Sequence, residues 1–221
     1  MIAVDTPPRE KERIESLKKF GIIDTPPDGS FDTITQLAAL IFGVPISIIS
    51  LVDTDRIWFK SHYGLSVKQI GRDPGLCASA ILSDDIYVVE NARTDPRTLS
   101  NPLVASDFGL QFYAAVPLRT EDHHNLGTLC IIDKNPRHFD EKEKQILEQL
   151  GKLVMDEMHK RLRLRNTIEQ IQNLTADLEG ELTETMSALR SNKLVEPEAL
   201  FAYLDATRLF VANLQDQLAS E

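Results

Sequence analysis

Ser50-Leu51-Val52-Asp53-Thr54-Asp55-Arg56-Ile57-Trp58-Phe59-Lys60-Ser61 decides how this chain folds. The first three residues end an apolar run that begins at Ile46. That run is dominated by Ile, Val and Leu and reads as a buried central strand. Asp53-Thr54-Asp55 is a turn, because short carboxylate side chains bond their own backbone. Residues 57–61 then read as the returning strand of a hairpin.

Outward from the hairpin, helices come first on the N-terminal side. Residues 9–20 form a charged helix with Ile14, Leu17 and Phe20 on one stripe and Gly21 placed to end it. The cluster Thr25-Pro26-Pro27-Asp28-Gly29 is a turn. A second helix follows with Ser30 as its expected N-cap and Ile34, Leu37, Ala38 and Ile41 as its expected apolar face; Gly43 ends it. On the C-terminal side, 64–75 is glycine-rich and expected to be irregular. A short helix is expected over 78–82, a short strand over 86–89, and a loop with one helical turn over 91–107. Strands are expected over 112–118 and 126–132, joined by the polar turn Glu121 to Asn125. Asp140 with Glu143 three residues on makes a capping box for a last, long helix. Strands in the middle and helices at both ends predict an α+β fold built on an antiparallel sheet.

The last helix carries two apolar patterns. Ile146, Leu147, Leu150, Leu153 and Val154 are expected to pack on the sheet. Beyond them Leu164, Ile168, Ile171, Leu174, Leu178, Leu182, Met186 and Leu189 recur at a mean step of about 3.6 residues, the seam of a coiled coil or helical bundle. This stripe needs a cover. A second copy of the chain would make a homodimer. The alternative is a hairpin with 197–218, where Leu200, Phe201, Leu204, Phe210, Leu214 and Leu218 are apolar. The expected division is 1–160 as a sensory domain, 161–192 as the long amphipathic helix and 193–221 as a C-terminal amphipathic helix.

Composition narrows the function classes. The chain has 221 residues, 42% hydrophobic, enough for a packed core. Its net charge is −10, and residues 166–221 contribute ten acids against three bases. Such a surface disfavours nucleic-acid binding, which needs phosphate neutralised. No run of 18 apolar residues occurs, so no membrane span is expected. Two cysteines make no disulfide framework, and a reducing cytoplasm is the expected setting.

Catalytic patterns are sparse. No glycine-rich phosphate loop, Gly-x-Ser-x-Gly elbow or His-Glu-x-x-His pattern occurs. His62, His123, His124, His138 and His159 include no pair four apart, so no metal site is expected. His159 lacks the acidic neighbour of a phosphoacceptor histidine. Asp53, Asp55 and Asp133 read as turn formers. Cys130, inside an apolar strand, reads as an inert small hydrophobe with a raised pKa. Cys77 follows a loop near a helix start, where the dipole favours a thiolate; burial at a pocket wall and a reactive or ligand-contacting role both remain open.

Six blocks in order carry a family resemblance. They are the hairpin above; Gly64-Leu65; Leu76-Cys77-Ala78-Ser79-Ala80-Ile81-Leu82; Asn101-Pro102-Leu103-Val104; Phe112-Tyr113-Ala114-Ala115-Val116-Pro117-Leu118; and Leu126-Gly127-Thr128-Leu129-Cys130-Ile131-Ile132-Asp133. Together, over roughly residues 10–160, they resemble the GAF domain of bacterial signalling proteins. The resemblance implies a six-stranded, mostly antiparallel sheet flanked by helices. It also implies a ligand pocket under residues 64–110, frequent dimerisation, and a signal passed along the C-terminal helix. Strand alternation then puts one of Trp58 and Phe59, and one of Phe112 and Tyr113, toward that pocket. Trp58 is on the strand edging it, and Cys77, Arg93 and Asn101 are further candidates.

Departures from the subfamilies narrow the cofactor, whose identity stays unknown. The Asn-Lys-Phe-Asp-Glu pattern of cyclic-nucleotide-binding relatives is absent, although Asp140-Glu141-Lys142 is similar to its end. Bilin-attaching relatives place His after the cysteine, whereas Ala78 and Ile131 stand here. Both ligands are disfavoured, as is the multi-cysteine chemistry of free methionine sulfoxide reductases. The expectation is a small-molecule sensor with a downstream signalling partner, not an enzyme. Two alternatives are a ligand-free dimerisation scaffold that recruits a signalling enzyme, and the input fragment of a longer histidine kinase or diguanylate cyclase.

Overall fold

The computed structural model describes residues 8–73 and 75–190, together with positions 198, 201, 202, 205–207 and 209. Its elements run α1 (Pro8–Phe20), α2 (Gly29–Phe42), β1 (Ile46–Val52), β2 (Arg56–Tyr63), β3 (Gln69–Gly71), α3 (Leu76–Ala80), β4 (Tyr87–Val89), α4 (Pro102–Ala105), β5 (Phe112–Arg119), β6 (Asn125–Asp133) and α5 (Glu141–Arg190). The six strands form one sheet in the order β3-β2-β1-β6-β5-β4, and every pairing is antiparallel. The fold is GAF-like, as the sequence suggested. The deciding hairpin is present as β1 and β2, with Asp53 accepting the Thr54 N–H in the turn.

The sheet separates two apolar layers. On one side Ile49, Leu51, Trp58, Phe112, Ala114, Leu129 and Ile131 meet α1, α2 and the start of α5. On the other side the segment from β3 to α4 closes over Ile48, Phe59, Tyr113, Ala115, Cys130 and Ile132. We call that segment the lid.

Three local expectations are corrected. Asp28, not Ser30, caps α2: its carboxylate accepts the Ser30 N–H at 2.9 Å. The face of α2 is also rotated from the expected one. Phe31, Ile34, Thr35, Ala38 and Phe42 are buried, while Leu37 (42%) and Ile41 (49%) remain exposed. The two aromatic rings bury more apolar area than the aliphatic alternatives. Thr35 enters the layer because its hydroxyl has a partner there, Ser61 Oγ at 2.9 Å. Thirdly, Leu153 of α5 is exposed, while Leu147, Leu150 and Val154 are buried.

A β-bulge between β1 and β2 opposes Ser50 to Phe59 and Ile49 to Ser61, which leaves Lys60 unopposed. The freed side chain turns inward. Its amine donates to Thr25 Oγ1 and the Pro26 carbonyl, both at 2.8 Å, and lies 5.4 Å from the Phe31 ring centre. Burial pushes the Lys60 ammonium below its usual pKa.

The capping box at α5 forms as read. Glu143 N–H donates to Asp140 Oδ1 at 2.8 Å, and Asp140 N–H donates to Glu143 Oε2 at 3.0 Å. A division into two units falls between Arg163 and Leu164, three residues beyond the expected 160/161 boundary. The later boundary at 192/193 lies outside the described residues. In the second unit Leu164, Ile168, Ile171, Leu182 and Met186 are exposed along α5, and Leu174 and Leu178 are half-buried. The Leu189 side chain, and Leu200, Leu204, Phe210, Leu214 and Leu218 of the expected hairpin partner, lie outside the described residues; Phe201 is described and exposed.

Candidate functional site

Pleating distributes the candidate aromatics. Phe59 of β2 and Tyr113 of β5 are buried beneath the lid, and Trp58 and Phe112 are buried in the opposite layer. Trp58 therefore packs with the helices, and Phe59 is the member of that pair on the lid side. Both Trp58 and Phe59 border a surface cleft of about 590 Å³ at the β2 edge, which Thr25, Lys60 and His62 also line.

Beneath the lid the sheet carries a polar cluster in an otherwise apolar layer. Cys77, the second residue of α3, lies over the strands and accepts a hydrogen bond from Tyr113 Oη at 3.3 Å. Ser50 of β1 and Thr128 of β6 are register partners, and their hydroxyls are 2.9 Å apart. Cys130 of β6 lies in the same buried layer, close enough to Cys77 that each thiol perturbs the other's ionisation. All five side chains are buried. Cys77 was foreseen as a candidate and Tyr113 as one of two. Ser50, Thr128 and the proximity of Cys130 were not. The available signal was a hydroxyl at a lid-facing position of each of two apolar strands.

The cluster polarises its two thiols in opposite senses. Cys130 most of all, with Ser50, the donating Tyr113 phenol and Thr128, favours the Cys77 thiolate; against the opposing effect of burial these neighbours bring its pKa down to about 6. Contact with Cys77 and burial together push the Cys130 thiol well up. Burial holds the Tyr113 phenol far above its usual pKa, so it stays a neutral donor. The lowering at Cys77 follows from its side-chain neighbours, Cys130 first.

Arg93 is exposed, and its backbone N–H donates to Asn91 Oδ1 at 3.1 Å. Asn101 caps α4, accepting the Leu103 N–H at 2.9 Å. Neither is assembled with the thiol cluster. The residue that latches the lid to the sheet is Asn125, at the start of β6. Its Nδ2 donates to Ile81 O (3.1 Å), Ser83 O (3.0 Å) and Asp84 Oδ1 (3.0 Å).

A second attachment joins the lid to the exit helix. Glu90, just after β4, accepts the Phe139 N–H at 2.8 Å and pairs with His138 Nδ1 at 2.7 Å. Its own carbonyl accepts the Arg137 N–H at 3.0 Å. The Phe139 N–H, with His138, holds the Glu90 carboxyl below its usual pKa. Arg137 in turn donates to the Phe42 carbonyl at 2.6 Å and pairs with Glu143 of α5. Among the described residues no group of three or more His, Cys, Asp or Glu is placed to hold a metal ion. No helix there is long and apolar enough to cross a membrane.

These features define a sensory-type α+β module. The profile of the GAF domain family matches residues 26–158, more than half of the chain, and the chain belongs to that family. A cyclic di-GMP phosphodiesterase of Pseudomonas aeruginosa is 36% identical over 165 residues, covering 74% of this chain. The chain spans 28% of that relative's length. Among solved structures, the GAF domain of an Acinetobacter phosphoenolpyruvate-protein phosphotransferase superposes with a TM-score of 0.52 at 18% identity, over 70% of this chain and 98% of its own. A type II free methionine-R-sulfoxide reductase of Thermoplasma acidophilum gives 0.51 at 17%, over 65% and 96%. At such identities the likeness is one of fold.

Proposed function

We propose that this chain is a regulatory GAF module of a signalling protein, acting as the input part of an enzyme that turns over a cyclic dinucleotide. A small molecule would enter between lid and sheet, with the Ser50, Cys77, Tyr113 and Thr128 side chains as its polar anchors. The observation that carries this reading is Glu90. One residue after a lid strand, it bonds the loop from which α5 leaves. A displaced lid would change that attachment, and a ligand would bias the helix by its differential affinity for the two arrangements. The likeness to the phosphodiesterase of P. aeruginosa supports the class of output.

Helix α5 is the proposed output, paired with a second copy of the chain through Leu164, Ile168, Ile171, Leu174, Leu178, Leu182, Met186 and Leu189. The exposed apolar side chains of this stripe support the homodimer. Analytical ultracentrifugation tests it: a dimer is expected for the native chain and a monomer for Ile168→Asp combined with Ile171→Asp. A native monomer at micromolar concentration would overturn the helical output.

A second reading has its own support, since Phe59, Leu110 and Tyr113 fill the space beneath the lid. On that reading the module binds no ligand and serves as a dimerisation scaffold. Thermal shift across a panel of nucleotides, amino acids and cyclic dinucleotides separates the two. A saturable rise in Tm that is lost in Tyr113→Ala supports sensing. No rise across the panel, with a dimer retained, supports the scaffold.

A further inference from the structure

Cys77 and Cys130 come from segments far apart in sequence and are brought together in one buried layer between the lid and the centre of the sheet. Cys77 sits on α3, which packs against β1, β5 and β6. Cys130 sits on β6, opposite Ile48 of β1 and Ala115 of β5. Both are free thiols and both are buried. A thiol in an apolar layer ordinarily has hydrocarbon neighbours and behaves as a small hydrophobe. Here the neighbours include a second thiol, a phenol donating at 3.3 Å and a hydroxyl pair. An apolar core has no need of that environment, whereas a thiolate is stabilised by it.

We propose that Cys77 and Cys130 form a peroxide-reactive dithiol whose oxidation to a disulfide staples the lid to the central sheet.

The chemistry needs only the two thiols and a peroxide. The Cys77 thiolate attacks one peroxide oxygen; an S–O bond forms, the O–O bond breaks, and hydroxide leaves and takes up a proton as water. Cys77 is then a sulfenic acid. Cys130, losing its proton, attacks that sulfur; the S–S bond forms, the S–O bond breaks, and a second water leaves. Two thiols lose two electrons in all, and one peroxide becomes two waters. The cluster divides the roles, since Cys77, which accepts the Tyr113 phenol, is the attacking sulfur, while Cys130, inside β6, resolves. Burial lets a small neutral oxidant in during local opening and slows larger reagents. The product joins lid to sheet one helical turn before Ile81, whose carbonyl the Asn125 latch holds. In a reducing compartment such a bond is transient, which suits a signal and not a structural brace. The inference does not depend on a ligand binding beneath the lid.

The test uses the full native chain. It is reduced, desalted, exposed to hydrogen peroxide, then denatured and treated with N-ethylmaleimide before mass spectrometry. The expected product is an unlabelled monomer lighter by two hydrogen atoms, with a peptide linking Cys77 to Cys130, restored by a thiol reductant. Its thermal midpoint should exceed that of the reduced chain, because the bond closes a long loop. Cys130→Ser should leave Cys77 as the sulfenic or sulfinic acid. Three results would overturn the proposal: both thiols fully labelled after peroxide, a sulfinic acid on Cys77 of the native chain with Cys130 still free, or a disulfide only between two chains. The measurement on the native chain stands even where a variant fails to fold.

Discussion

Glu90 Oε1 accepts the backbone N–H of Phe139 at 2.8 Å, and through this bond the lid strand β4 touches the start of the exit helix. The bond is half-exposed, so its stability contribution is small, yet its position is what gives it consequence. Glu90→Ala is expected to cost about 0.5–1 kcal/mol of global stability. Hydrogen exchange at Phe139 and the first turn of α5 should accelerate selectively. Unchanged exchange there would show that the carboxylate holds nothing.

Acid stability should depend on Glu10. Despite opposing burial, Arg13 and Arg72 hold its carboxyl at about 2, with Arg13 Nε at 2.8 Å and Arg72 Nη1 at 2.7 Å. A carboxyl with a lowered folded pKa stabilises fully above its unfolded pKa, near 4.5. That contribution fades as pH falls from there toward 2. Glu10→Gln should lower stability at pH 7 by about 1–3 kcal/mol and flatten this part of the acid limb. Denaturant midpoints measured between pH 2 and pH 7 check the slope.

Gly127 cannot carry a side chain. A Cβ there would lie 1.9 Å from the Ser50 carbonyl oxygen and 2.8 Å from the Leu51 Cα. Neither is the end of a flexible chain, so β1 and β6 would have to separate. Gly127→Ala should lower stability by about 3 kcal/mol, read from equilibrium denaturation.

Tyr113→Phe removes the phenol that donates to Cys77 at 3.3 Å. The Cys130, Ser50 and Thr128 donors remain. With one donor fewer the thiolate is less favoured, and the pH midpoint for alkylation of Cys77 should rise by about one unit. A fixed midpoint in a folded variant would assign the lowering to the other three groups.

Ser50 and Thr128 should prove coupled. Replacing either hydroxyl breaks the 2.9 Å bond between two buried groups, so Ser50→Ala and Thr128→Val should each cost about 1–2 kcal/mol. The double variant should cost less than the sum, which a double-mutant cycle measures.

Sequence carried the architecture well where local chemistry was unambiguous. The run at Ile46–Val52, its aspartate turn and the Asp140–Glu143 box each have one stable solution, and each is present. The buried face of α2 was harder, since Ile34 and Ala38 belong to both candidate stripes and only packing selects Phe31 and Phe42 over Leu37 and Ile41. Strand β3 gave no signal because Gln69-Ile70-Gly71 has little strand preference; it forms by pairing with Arg56 to Trp58 of β2. The thiol cluster was legible only in pieces. Cys77 and Tyr113 stood out singly, but nothing local says that α3 lays its cysteine over Cys130.

The stretch 64–111, which carries the lid, is held at both ends by main chain. At Gly64, where it leaves β2, the backbone is left-handed (φ +75°), and a Cβ would fall 2.0 Å from the Pro45 carbonyl oxygen. At the far end the Gln111 N–H donates to the Asp133 carbonyl at 3.0 Å. A cover fastened along two opposite margins cannot swing like a door. It can only bow between its fastenings, so spin labels near Asp85, beside the Asn125 latch, should stay put while labels near the exposed Leu99, between β4 and α4, report the motion.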